Sequence, residues 1–347
     1  MGSHTGIDLP VPPGWSIFIG TLGRGFIWLG LLLFAAALVA SLWPRLAERK
    51  FARVGFVLGC VSLFGAFLSL ATLFVADRFE YAYVYQRSDA ANELKYKIAA
   101  IWSGQQGSFL LWAVCSAIFG LLALKSTGTL RRWYIAAYSL FLASICGILA
   151  YETPFNTQPL LDGKLYVPPN GAGLTPSLQN YWVVIHPPTI FLGFGSLTVL
   201  FAFAVSAMLN RDQHDWIRQV RPWAILSCSI VGLGLCMGGF WAYETLGWGG
   251  FWMWDPVENV SFVPWVLSAV FLHGVIVQVT KKRWVATNYL LAGLPFLIFV
   301  YGTFLTRAGF LDGASVHSFA EMDRTAHKVL LGFLACYGRL HGSLAGT

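Results

Sequence analysis

The residues best suited to chemistry lie between Trp241 and Phe262, which read Trp241-Ala-Tyr-Glu-Thr-Leu-Gly-Trp248-Gly-Gly-Phe-Trp252-Met-Trp254-Asp255-Pro256-Val-Glu258-Asn259-Val-Ser261-Phe262. Four of the chain's 15 tryptophans fall in this stretch, at 241, 248, 252 and 254. Trp248, Phe251, Trp252, Asp255, Asn259 and Phe262 recur at three- and four-residue spacing, and on a helix they would share one face. Indoles with few charges suit a large, flat, apolar ligand. The Gly249-Gly250 pair lets such a ligand approach the backbone. The competing reading is an aromatic belt at a membrane interface. Asp255, Glu258 and Asn259 among the rings argue against it, because a belt needs no carboxylates at its centre.

Three histidines extend the pattern. His186 precedes Pro187-Pro188, and the prolines predict a helix start just after it. His317 lies in Ala314-Ser-Val-His317-Ser-Phe. Imidazoles flanking an aromatic plate can bind haem iron from opposite faces. Each taken singly also reads as a surface or capping residue. His273 sits within an apolar run beside Gly274, and ionisable groups inside a span default to a functional hypothesis. A cofactor ligand, a proton relay and an interhelical hydrogen bond all remain open for it.

The elements that must position these groups are membrane spans. The 347 residues are 56% hydrophobic and 11% charged, with mean hydropathy +0.63. That excludes disorder and points to an all-α, polytopic transmembrane bundle, organised as one integral membrane domain over 1–347. Spans are predicted at about Gly25–Leu42, Val54–Val75, Ser108–Leu124, Trp133–Ala150, Thr189–Met208, Trp223–Phe240, Phe262–Val279 and Val285–Phe304. A ninth run, Val329–Ala345, is broken by Arg339 and His341. No basic region precedes the first run, so no cleavable signal peptide is expected.

The net charge of +7 does not indicate nucleic acid, because Lys and Arg cluster between spans. The connections after spans one, three, five and seven hold 13 basic residues against Glu48, Asp212 and Asp215. By the positive-inside rule these face the cytoplasm, with the N-terminus outside. The long segments 76–106, 151–188, 241–261 and 305–327 then share the outer, periplasmic side as a working face. The six cysteines lie in apolar runs without a C-x-x-C, so neither a disulfide frame nor a zinc site is expected. There is no Walker loop, G-x-S-x-G or H-E-x-x-H, and no nucleophile is assigned.

At this point the sequence resembles a family. Trp248-Gly-Gly-Phe-Trp252-Met-Trp254-Asp255-Pro-Val-Glu258-Asn259, followed by Ser261-Phe-Val-Pro-Trp265, is similar to the WWD signature of haem-handling cytochrome c biogenesis proteins of the CcmF type. The stretches Tyr96–Ser108, Asn170–Gln179, His186-Pro-Pro, Leu305-Thr-Arg307-Ala-Gly and Ser315–Ala320 agree in order. The resemblance implies a haem lyase subunit that works within a complex in the bacterial inner membrane. It presents haem b on the periplasmic side for thioether attachment to C-x-x-C-H segments of apocytochrome c. Haem would lie between His186 and His317, against Trp248, Trp252, Trp254 and Asp255. His273 would ligate a second, intramembrane b-type haem. Arg307 is a candidate partner for a propionate. Expected partners are apocytochrome c, a haem chaperone and thiol-reducing subunits, alongside membrane lipid. The family's other b-haem ligand lies in a later span, so the resemblance implies a fragment or a split gene product, with a separate chain supplying that ligand. A nitrite-reductase-specific lyase shares these motifs. The alternatives are a haem exporter and the shorter CcsA/ResC-type synthase, which also carries a WWD segment.

Overall fold

The computed structural model describes residues 10–47, 50–161, 163–245 and 250–307, with Lys328, Leu331, Gly332, Ala335 and Arg339 besides. Eight long apolar helices carry the chain: α1 Gly14–Leu42, α2 Phe51–Val75, α3 Gln105–Ala123, α4 Arg131–Tyr151, α5 Trp182–Asn210, α6 Trp216–Thr245, α7 Pro256–Lys281 and α8 Val285–Arg307. All eight predicted spans are present. The only β pairing among the described residues is two isolated bridges. Helices prevail because hydrocarbon offers no water to a bare amide, so each segment must satisfy its own backbone.

Packing is graded. α3 and α5 are buried nearly all round, while α1, α6 and α7 leave most of their surface outside the bundle. α5 is the hub and packs against α3, α4, α6 and α8. Its crossing with α3 is close because Gly195 has no side chain. A Cβ there would lie 2.7 Å from the backbone of Cys115 and Ser116. Small residues drive such approaches where lipid removes the hydrophobic incentive. Tyr138, from α4, closes the same crossing by donating its hydroxyl to the Ser116 carbonyl at 2.8 Å.

The connections separate into two ends. At one end, Arg132 donates to the Ser41 and Leu42 carbonyls, Trp223 donates to Ser126, and Gln278 donates to the Gln213 carbonyl. This is the end of the basic connections. At the other end the long segments knit together. Tyr81 pairs with Thr157, Asn170 donates to Asp89, and Val167 N–H donates to the Pro10 carbonyl. Glu80 is fully buried there, held by Ser16 Oγ and Arg78.

Four helices start six or more residues before the spans expected from the sequence: α1, α5, α6 at Trp216 rather than Trp223, and α7 at Pro256 rather than Phe262. α1 begins at Gly14, not near Gly25, because Arg24 does not mark its edge. Arg24 reaches Asn156 Oδ1 at 2.5 Å, and the helix continues to Ser16 and Glu80. α5 begins at Trp182, so His186, Pro187 and Pro188 lie inside it. Pro187 and Pro188 are the sixth and seventh residues of α5, so each withdraws one amide donor, from the Val183 and Val184 carbonyls of the first turn. Pro187 does free the Val183 carbonyl, and the Trp102 indole N–H donates to it at 2.9 Å.

These crossings make a paired prediction. Gly195→Ala should destabilise the bundle by about 1–3 kcal/mol, the usual cost of overpacking. Gly147 of α4 faces open space, so Gly147→Ala should be neutral or stabilising by up to about 1 kcal/mol. Thermal unfolding in detergent measures both, and equal Tm values for the two variants would refute the close crossing.

Candidate functional site

The tryptophan segment is not helical from Gly250 to Asp255, so its rings do not share one helix face. Gly250–Asp255 is bent and extended, and α7 starts at Pro256. The cause is local. Pro256 disfavours helix at the preceding residue and suits the first helical position. Asp255 is the N-cap: its carboxylate accepts the Val257 N–H at 2.8 Å. Glu258 completes a capping box and also reaches further back, accepting the amides of Asp255 at 3.2 Å and Met253 at 2.9 Å. Asn259 Nδ2 donates to the Trp254 carbonyl at 3.0 Å. The polar residues among the rings thus hold the loop in shape. Trp254 takes φ +57°, a region a bulky side chain enters only when its surroundings force it. Two-thirds of Trp254 is exposed.

The indoles do not form a flat plate either. Trp252 and Trp254 stand at 86° with centroids 6.3 Å apart, and both pack on Phe262. Edge-to-face packing suits the ring quadrupoles better than a coplanar stack. Phe251 meets Phe240 of α6 edge-on at 5.3 Å, and Phe240 stacks on Trp182 of α5. The segment therefore bridges the ends of α5, α6 and α7.

His186 lies in this same corner, half-buried between α5 and α6. Its ring is 6.0 Å from that of Trp241 and rests on Gly238, where a Cβ would lie 2.8 Å from the imidazole. Nδ1 is 3.0 Å from the Gly234 carbonyl. A carbonyl has no proton to give, so Nδ1 carries the hydrogen and Nε2 keeps its lone pair. That is the tautomer of a histidine that binds a metal through Nε2. The indole N–H groups of Trp241 and Trp252 are buried with no acceptor among the described residues. Buried donors of this kind are costly, and an acceptor on a bound molecule would satisfy them.

Glu244 was not singled out from the sequence. At the end of α6 its carboxylate accepts the Tyr181 hydroxyl at 2.8 Å and the Trp182 indole N–H at 2.7 Å. The bond to Glu244 raises the Tyr181 phenol above its ordinary pKa. This clamp ties the start of α5 to the end of α6, one turn from His186. No local signal betrays it, because the partners are over sixty residues away.

His273 sits far from this corner on α7, exposed on the face turned away from the bundle. It makes no interhelical hydrogen bond among the described residues. Nδ1 lies 2.8 Å from the Ala269 carbonyl of its own helix, which again leaves Nε2 as the acceptor. Exposed Val266, Val270 and Ile276 flank it. Gly274 beside it serves a different purpose. A Cβ there would lie 2.0 Å from Asn288 Oδ1, and Asn288 donates to the Gly274 carbonyl at 2.9 Å. The close approach it permits is that of α8.

Trp248 and His317, the segment after Arg307, the Arg307 side chain and most of the ninth run lie outside the described residues. The structure thus joins His186, Trp241, Trp252, Trp254 and Asp255 in one region and leaves His273 apart.

Comparison with known proteins bears on family and fold. The family model "Cytochrome C assembly protein" matches residues 102–311. The biogenesis protein CycK of Bradyrhizobium diazoefficiens is 34% identical over 91% of this chain and 48% of its own length. CcmF of Pseudomonas aeruginosa is 34% identical over 84% of this chain and 43% of its own. The solved cytochrome c haem lyase CcmF superposes with a TM-score of 0.78 at 26% identity, over 94% of this chain and 51% of the other. The chain spans about half the length of the relatives it matches. On this family match and shared fold, the chain belongs to the cytochrome c assembly proteins, as a polytopic helical membrane protein of the CcmF type.

Proposed function

We propose that this chain handles haem in cytochrome c maturation, holding haem b as cargo at the long-segment end for attachment to apocytochrome c. One observation carries the reading. His186 has its Nδ1 committed to the Gly234 carbonyl beside Trp241, whose buried indole N–H, like that of Trp252, has no acceptor among the described residues. An iron-bound porphyrin with carboxylate side groups answers both demands: iron takes an imidazole nitrogen, and propionates take N–H donors.

In this reading the protein supplies position. His186 offers Nε2 to the iron, and His317 supplies the ligand on the other face. Trp252 and Trp254, with Trp248, present aromatic edges and faces to the macrocycle. Asp255, Glu258 and Asn259 fix the loop that carries them. The apocytochrome brings its own C-x-x-C-H thiols, and each S–H adds across one vinyl group. Holding the reactants in register contributes up to roughly 7–11 kcal/mol to such a step. The end bearing the basic connections faces the cytoplasm of a bacterial inner membrane, and the haem face is periplasmic. A haem chaperone delivers the cargo and thiol-reducing subunits prepare the acceptor.

His273 fits a resident b-type haem. Its Nε2 lies on an apolar outer face, and no group of three or more histidine, cysteine or carboxylate side chains gathers into a metal cluster among the described residues. A bound haem there would supply electron transfer. His273 would hold it from this chain, and another chain or segment would provide the opposite ligand.

Three outcomes test this. In cells that depend on this protein, His186→Ala should abolish covalent haem staining of c-type cytochromes while membrane insertion persists. Normal staining would sink the assignment. Asp255→Ala should cost about 1 kcal/mol, as a lost N-cap does, and should lower maturation further than that loss explains. Asp255→Asn retains a capping oxygen and should restore most of it. His273→Ala should remove a b-type absorption band from haem-loaded protein with helicity unchanged, and a band of full intensity would refute the ligand.

A further inference from the structure

We propose that the hairpin between Thr157 and Val167 is a membrane-interface anchor that inserts Leu160 and Leu161 into the lipid headgroup layer beside α1. The hairpin is built tightly. Leu161 and Lys164 exchange both backbone hydrogen bonds, at 3.0 and 2.9 Å, and Gly163 takes the left-handed φ of +75° that the turn needs. Even so, Leu160 and Leu161 remain 62% and 49% exposed.

Single exposed leucines are ordinary. Location sets this pair apart. Both feet of the hairpin stand at the start of α1. Gln158 N–H donates to the Glu80 carbonyl at 2.7 Å, and Glu80 is held by Ser16. Val167 N–H donates to the Pro10 carbonyl at 2.9 Å. The first turns of α1 begin its lipid-facing row, where Trp15, Phe18, Leu22, Leu29 and Leu32 are exposed at helical spacing. The Arg78 guanidinium lies over the Trp15 ring at 5.5 Å. An aromatic ring and a cation together mark the level of the membrane interface. Leu160 is two residues from Gln158, so it stays within about 7 Å of that level. The headgroup layer is itself about 5–7 Å deep on each side. Both leucines are thus within reach of the interface level that the start of α1 sets.

The charges favour lipid of no particular sign. Lys164 is matched in the sequence by Asp162. Apolar burial, rather than attraction to anionic headgroups, holds the hairpin.

The test uses the whole chain in phosphatidylcholine nanodiscs, with Cys236→Ala and Cys336→Ala removing competing thiols. Leu160→Cys carries an NBD fluorophore, and Leu161→Cys repeats the measurement. Glu93→Cys, on an exposed loop at the same end, is the aqueous control. The proposal expects blue-shifted emission at 160 or 161 that shallow doxyl lipids quench and iodide does not. The control should behave in the opposite way. Adding phosphatidylglycerol should change nothing. Emission at both positions that matches the control and falls with iodide would overturn the anchor and leave the leucines facing water or a soluble partner. Insertion that appears only with anionic lipid would also overturn it, since the hairpin would then be held by charge.

Discussion

A carbonyl in a membrane protein cannot be left to water, and that constraint organises the centre of this structure. α5 carries two adjacent prolines in its second turn. They remove two amide donors from a helix that is otherwise its bundle's hub. The Val183 carbonyl freed by Pro187 takes the indole N–H of Trp102. Trp102 precedes α3, so this one bond docks the first long segment and the start of α3 onto α5. The irregularity is confined to the first turn, where the Val183 and Val184 carbonyls lose their intrahelical donors. It also fixes the residue just before the prolines, which is His186.

The same economy recurs around the aromatic segment. A helix running continuously from α6 into α7 would have buried its polar residues as mere breaks. Instead α7 starts at Pro256, Asp255 spends its carboxylate on the first turn of that helix, and Glu258 and Asn259 each spend a side chain on loop backbone. What the loop gains is exposure: Trp254 is held outward in a strained conformation. Strain of order 1–3 kcal/mol persists only where surrounding bonds over-determine it, and four such bonds converge here.

The spans were legible because a hydrocarbon core demands long apolar runs. Their ends were less so. The first span was expected from near Gly25, yet α1 begins at Gly14 and runs through Arg24, whose long side chain reaches Asn156. Pro187 and Pro188 looked like a start, yet α5 begins at Trp182 and runs through them, with Trp102 taking up the Val183 carbonyl that Pro187 frees. The helical spacing of Trp248, Trp252, Asp255 and Asn259 was also misleading, and the sequence held the correction. Asp255-Pro256-x-Glu258 is a capping box with proline at the first helical position, and it outranks periodicity over so short a stretch. Glu244 had no such signature, because its role is set by Tyr181 and Trp182 on another helix.

The two histidines show how far local structure can go toward function. Both tie Nδ1 to a backbone carbonyl, one across helices and one within a single helix. For His186 the carbonyl belongs to Gly234, and Gly238 one turn on gives the ring a bare surface to lie against. Orientation there depends on the α5–α6 contact, which Glu244 secures at its end through Tyr181 and Trp182. His273 needs no neighbour for its orientation, since Ala269 lies one turn back on α7. An imidazole oriented by its own helix is ready before any partner arrives, whereas one oriented between helices is ready only once the bundle has formed. The two candidate ligands therefore differ in what must fold first, and the site at the long-segment end is the one that reports the integrity of the bundle.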